Sequence, residues 1–128
     1  VKDTPFDFNK RKRIGQDLEA DHIQLKNAFG YDHSFVLNGT ENQLTLEGPV
    51  SGRRLIISTT APVVQVYTGN FLKDGCIGKA GRVYENREGV ALETQLMPNA
   101  INTEENHSTI LRKGDKFESN TKYVFEIM

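Results

Sequence analysis

The sequence predicts an all-β fold of mostly antiparallel strands with little helix. Three observations carry that prediction. Short runs rich in β-branched and apolar residues recur along the chain, each bounded by turn formers. A helical spacing of apolar residues is found over one stretch only, Arg11 to Leu25. The four prolines, Pro5, Pro49, Pro62 and Pro98, fall at run edges, where a missing N–H does little harm.

Taken in chain order, Val1 to Asn9 reads as extended. Within Arg11–Leu25, Ile14, Leu18 and Leu25 stand at i, i+4 and i+11, but Gly15 and scattered polar residues weaken the pattern. A short helix at most is expected there. Gly30-Tyr31-Asp32-His33 reads as a turn entering the apolar stretch Phe35-Val36-Leu37. Leu44 to Leu46 alternates apolar and polar, as a half-buried strand does. Arg53 to Thr60 is a β-branched run, and the turn-rich Glu47-Gly48-Pro49-Val50-Ser51-Gly52 before it makes a hairpin with a longer loop. Val63 to Thr68 follows, entered through Ala61-Pro62, and Gly89 to Leu96 after it. Lys122 to Ile127 places Tyr123, Phe125 and Ile127 on one face. Lys73 to Val83 and Met97 to Ser108 are long loops of the kind that often bind ligands. Strands with no closing segment leave unpaired edges. Part of the sheet is therefore expected to come from residues outside this chain.

Composition bounds the function. The 128 residues suit one domain, and 16 Lys plus Arg against 17 Asp plus Glu give a net charge of −1. A nucleic-acid binder would carry a basic excess, so neither nucleic acid nor an anionic membrane surface is an expected partner. No apolar run approaches the ~20 residues that span a bilayer. A single cysteine, Cys76, excludes an internal disulfide framework and fits a reducing, cytoplasmic compartment. His22, His33, His107 and Cys76 are scattered without ligand spacing, so no metal site is expected. Lys10-Arg11-Lys12-Arg13 reads as a solvated surface run. Asn38-Gly39-Thr40 and Asn106-His107-Ser108 match the glycosylation pattern, a triplet frequent by chance. The glycines between Gly75 and Gly81 lack the spacing of a nucleotide-binding fingerprint.

Three polar residues in strand contexts are candidates for chemistry. Glu93 sits mid-run, sharing a face with Ala91 and Gln95 while Val90, Leu92 and Thr94 face the other way. A small residue beside two long polar ones fits a lined cleft, and a carboxylate on a rigid strand can act as a general base. A solvent-facing strand glutamate gives the same pattern and is the commoner case. Gln65 alternates with Val64 and Val66; its amide can both donate to and accept from a hydroxylated ligand, or simply be exposed. Asp32 could hold a ligand hydroxyl or cap its turn.

Read in order, these segments resemble the aldose 1-epimerase family. Thr4-Pro5-Phe6-Asp7-Phe8 with Ile14-Gly15 is similar to the family's entry motif, with Asp3 where Gly is usual. Gly30-Tyr31-Asp32-His33-Ser34-Phe35-Val36-Leu37, Ser51-Gly52-Arg53 and Val64-Gln65-Val66-Tyr67-Thr68-Gly69-Asn70-Phe71 resemble later motifs. Leu92-Glu93-Thr94-Gln95 followed by Pro98 resembles the most diagnostic one. The likeness runs over nearly the whole chain but covers only the C-terminal part of that family's domain, a β-supersandwich.

The resemblance implies an enzyme that interconverts the α and β anomers of an aldohexose such as galactose or glucose, without a cofactor. It implies that Glu93 is the general base and that Asp32 and Gln65 bind sugar hydroxyls. The family's general-acid histidine lies upstream, and neither His22, His33 nor His107 occupies a matching motif. Residues 1–128 are thus expected to form the C-terminal portion of one domain, and to be inactive or weakly active without the N-terminal portion, supplied by the same gene or a partner chain. Three other readings stay open: a non-catalytic carbohydrate-binding β-sandwich, an interaction module of a larger enzyme, and a relative acting on phosphorylated sugars, for which Arg53, Arg54, Lys73, Lys79 and Arg82 are the available cations.

Overall fold

The computed structural model describes residues 1–73, 75, 77–103 and 109–128. Among them, six strands form two three-stranded sheets: β1 (Asp32–Val36), β2 (Leu44–Gly48), β3 (Arg53–Thr59), β4 (Val63–Tyr67), β5 (Ala91–Gln95) and β6 (Thr121–Ile127). One sheet has the order β1-β4-β5 and the other β2-β3-β6. Each predicted strand is present, most with ends shifted by a residue or two; β1 starts at Asp32, three residues before the apolar stretch Phe35-Val36-Leu37 and inside the expected turn. Among the described residues the single α-helix, α1 (Ile23–Ala28), is joined by short 3-10 turns at Ile14–Gln16 and Ala100–Asn102.

The helix lies later than the apolar spacing indicated. Only a 3-10 turn forms around Gly15, and α1 begins near the end of the expected stretch. The reason is local. The His22 ring nitrogen accepts from the Gln24 N–H at 3.3 Å, capping the helix at its start. At its end Phe29 adopts a left-handed conformation and the Gly30 N–H returns to the Leu25 carbonyl at 3.0 Å.

The chain divides into two compact units, Val1–His33 with Val66–Leu92 and Ser34–Gln65 with Glu93–Met128. The divisions fall within β1, β4 and β5.

In the first unit the opening residues do not run as an extended segment. They coil through turns in which Thr4 and Asp7 N–H groups bond to the Val1 and Thr4 carbonyls, both at 3.1 Å. The turns deliver Phe6 to the interior, where its ring meets His22, Tyr31 and His33 edge-on at 5.1, 5.5 and 4.7 Å. The Tyr31 hydroxyl, on a fully buried side chain, donates to the Pro5 carbonyl at 2.8 Å. Burial pushes its pKa up to about 12, aided by the nearby Asp17 carboxylate. Lys12 departs from the surface-run reading: it bonds Pro5 O at 2.6 Å, pairs with Asp17 at 2.8 Å and sits over the Phe8 ring.

A buried polar staple completes this unit. The Thr68 hydroxyl accepts from the Tyr31 N–H at 3.1 Å and donates to the Asn70 amide oxygen at 2.7 Å. The Asn70 amide nitrogen donates to the Ala28 and Tyr31 carbonyls at 2.8 and 3.0 Å. Gly30 leaves room for this: a Cβ there would meet the Asn70 amide oxygen at 2.3 Å, and its φ of +144° suits glycine.

In the second unit β2 and β3 form the expected hairpin, closed by Ser51 and Gly52 N–H bonds to the Gly48 carbonyl at 3.1 and 2.9 Å. β6 pairs with β3 antiparallel over seven residue pairs, from Arg53 opposite Ile127 to Thr59 opposite Thr121. Gln43 anchors one end by accepting from the Thr59 N–H at 2.7 Å, while Arg54 bridges Glu47 and Glu126 across the three strands. Ile57, Val63 and Val64 are fully buried. No helix among the described residues is long and apolar enough to cross a membrane.

Candidate functional site

Glu93 occupies the middle of β5 with an exposed side chain. Alternation sends the next residue the opposite way, and half-buried Thr94 shares a hydrogen bond with the Thr121 hydroxyl at 3.1 Å. Thr121 in turn shares one with Thr59 at 2.8 Å. This line of three hydroxyls ties the strand under Glu93 to β3 and β6. The carboxylate is therefore presented by a held backbone, the condition a positioned base requires.

Gln65 is half-buried on β4. Its amide oxygen accepts from the Ser34 hydroxyl of β1 at 2.5 Å, which fixes the orientation of the amide plane. Gln65 and Glu93 belong to the same compact unit and to neighbouring strands. Asp32 is the exposed first residue of β1 and belongs to the other unit. The three predicted residues thus take one position on each strand of the β1-β4-β5 sheet.

The histidines have structural settings. His33 Nδ1 accepts from the Asp32 N–H at 3.0 Å while the ring packs on Phe6. Burial lowers its pKa, the neighbouring Asp32 carboxylate opposes that shift, and His22 adds to it. The neutral imidazole is the form this setting favours. His22 caps α1 and packs on the opposite flank of the same cluster. His107 lies outside the described residues, as do Cys76 and the triplet Asn106-His107-Ser108. Among the described residues no three His, Cys, Asp or Glu side chains converge as metal ligands would.

Ser34 and the Thr59–Thr121–Thr94 line escaped the sequence reading. Their partners lie 31, 62 and 27 residues away. Strand pairing brings Ser34 to Gln65 and Thr59 to Thr121, and contact between strands of different sheets brings Thr121 to Thr94; neither is visible in a local pattern. Part of the Val64–Phe71 motif acts structurally, since Thr68 and Asn70 form the buried staple.

The sequence profile of one family, described as aldose 1-epimerase, matches residues 1–124. Galactose mutarotase of Rattus norvegicus is 36% identical over 130 residues, covering 99% of this chain and 36% of that protein. Aldose 1-epimerase of Escherichia coli strain K12 is 34% identical over 131 residues, 98% of this chain and 37% of that protein. Among solved structures, an aldose epimerase homologue from C. elegans superposes with a TM-score of 0.83 at 30% identity, covering 99% of this chain and 38% of that one. Galactose 1-epimerase from Lactobacillus acidophilus NCFM gives 0.76 at 31% identity. The chain spans little more than a third of the length of these relatives. With a family profile matched almost from end to end and the expected strands in place, this chain belongs to the aldose 1-epimerase family.

Proposed function

We propose that this chain is the C-terminal portion of a mutarotase domain that interconverts the α and β anomers of an aldohexose such as galactose or glucose. The observation that carries the reading is Glu93, an exposed carboxylate at the centre of a strand whose opposite face is tied down through Thr94 and Thr121. Family membership gives that carboxylate its reaction class.

The chemistry needs a base and an acid. The base removes the proton of the anomeric hydroxyl. As the C1–O bond becomes a carbonyl, the bond from C1 to the ring oxygen breaks and that oxygen takes a proton from the acid. The open aldehyde turns about its C1–C2 bond. Ring closure onto the other carbonyl face returns both protons and yields the other anomer. No electrons are gained or lost, so a pair of proton-transfer groups suffices. In this reading Glu93 is the base. Gln65, its amide oriented by Ser34, and Asp32 hold sugar hydroxyls so that the proton path stays short. The family likeness implies that the acid is a histidine in the portion of the domain outside this chain; His22 and His33 pack against Phe6.

Polarimetry tests both parts. The isolated 128-residue chain should convert α-galactose to β-galactose no faster than buffer. In a complete domain carrying this segment, Glu93→Gln should lower kcat by about 10²–10⁴-fold. Brisk conversion by the isolated chain would refute the divided site, and full activity after Glu93→Gln would refute the role of the carboxylate.

A further inference from the structure

Strands β1 and β4 meet in a polar pair. The Leu37 N–H bonds to the Pro62 carbonyl at 3.0 Å. Three residues back along β1 and three forward along β4, Ser34 lies against Gln65, so the two strands run antiparallel there. Residues directly opposite in such a pair share a face. Both side chains are half-buried, and the Ser34 hydroxyl reaches across to the Gln65 amide oxygen at 2.5 Å. That separation suits an O–H···O bond and is too close for N–H···O. The end of the amide that faces β1 is therefore its oxygen.

The order of the sheet gives this orientation a consequence. β4 is the middle strand, with β1 on one side and β5 on the other. A carboxamide is planar, with oxygen and nitrogen on opposite sides of the carbon that carries them. Once the oxygen is held towards β1, the nitrogen is turned to the side of β5, the strand that carries Glu93. That nitrogen has two N–H groups and accepts nothing. Neighbouring strands thus offer a ligand opposite partners, a donor from β4 and an acceptor from β5. A sugar hydroxyl can use both, since one whose oxygen takes an N–H keeps its own hydrogen for a carboxylate.

We propose that Ser34 is a positioning residue which, by fixing the Gln65 oxygen towards β1, makes Gln65 a hydrogen-bond donor to one hydroxyl oxygen of the sugar. This rests on the reading of Gln65 as a sugar-binding residue and extends it, naming the group that orients the amide and the polarity of the contact. Without the serine hydroxyl the amide turns end for end and offers its oxygen where an N–H is wanted.

The test uses rat galactose mutarotase with its matched 130-residue stretch replaced by this chain, assayed by polarimetry with α-galactose. Ser34→Ala should raise KM roughly three- to tenfold, the weight of one neutral hydrogen bond. Its kcat should stay within about twofold, as loss of binding common to the ground and transition states requires. Ser34→Thr, which keeps the hydroxyl, should restore the parent KM. In a Gln65→Ala background Ser34→Ala should have no further effect. Polarity is read with deoxy and deoxyfluoro galactoses altered at one ring position at a time, because fluorine accepts a hydrogen bond but donates none. At one position the fluoro sugar should show a lower KM than its deoxy partner, and that advantage should vanish in Gln65→Ala. In the 128-residue chain itself, NMR relaxation should show an ordered Gln65 side-chain amide that Ser34→Ala loosens and Ser34→Thr keeps.

An unaltered KM in Ser34→Ala, an equal rise in the Gln65→Ala background, or a Gln65 amide as mobile in the parent as in Ser34→Ala would overturn the proposal and leave the mutarotase reading standing. So would fluoro sugars that do no better than deoxy sugars at every position, which would make Gln65 an acceptor. A complete domain that converts no anomer would sink the mutarotase reading and this proposal with it.

Discussion

His33 shows how one residue can serve the fold and rule itself out of the chemistry. Its ring is packed against Phe6 and its Nδ1 is engaged by the Asp32 N–H, so a proton added to that nitrogen would break a hydrogen bond inside a partly apolar pocket. Burial is the leading cause of its lowered pKa. The unfolded chain, with an ordinary histidine near 6.5, binds the proton first as pH falls. Stability from this group is therefore fully present above about pH 6.5 and is lost as pH falls through the folded value. The lowered carboxylates do not confuse the window. Asp7 is lowered chiefly by the Asn9 side chain and Glu88 chiefly by the Glu85 N–H, and both act at more acid pH. The urea midpoint should fall between pH 7.5 and 5.5, and His33→Asn, which retains an acceptor for the Asp32 N–H, should flatten that fall. An unchanged slope in the variant would show that another group controls it.

Elements tell a divided story about what a sequence can carry. The strands follow from β-branched runs between turn formers, because period-2 alternation and glycine or proline punctuation are local properties. The Glu47–Gly52 hairpin and the run from Thr121 to Ile127 are clear cases. The helix was misplaced because its position depends on the His22 cap and the left-handed Phe29, which no apolar spacing encodes. The coiling of Val1–Asn9 depends on a distant receptor for Phe6, formed by His22, Tyr31 and His33. For the candidate site, alternation alone could put Glu93 and Gln65 on strand faces. It could not supply Ser34 beside Gln65, which depends on pairing between strands distant in sequence, or Thr121 beside Thr94, which depends on contact between strands of different sheets. The threonine line has a measurable weight. Thr121→Val keeps the shape and deletes the hydroxyl that serves both Thr59 and Thr94. At roughly 1 kcal/mol for each hydrogen bond, it should cost about 1–2 kcal/mol by urea unfolding. A loss below a few tenths would mean that β5 is held by its backbone pairing alone.

At the scale of the whole molecule, charge and the apolar face of β6 act together; Tyr123, Phe125 and Ile127 on that face are 48, 77 and 80% exposed. The net charge is −1 at pH 7. The sequence pI is about 6.3, so the charge passes through zero a little above pH 6. Near zero net charge, repulsion no longer keeps apolar surfaces apart. Light scattering by the isolated chain at fixed concentration should peak near pH 6–6.5 and subside by pH 8. Two substitutions separate charge from surface. Phe125→Asp removes the most prominent ring and adds a negative charge, so it should lower scattering at pH 7 on both counts. Phe125→Lys removes the same ring but brings the charge to −1 + 1 = 0 at pH 7. If the apolar face drives association, Phe125→Lys also scatters less than the parent at pH 7, although its residual maximum moves to higher pH. If net charge alone drives it, Phe125→Lys scatters more than the parent at that pH. The first outcome assigns association to the exposed row on β6, and the second would leave that row without a part in it.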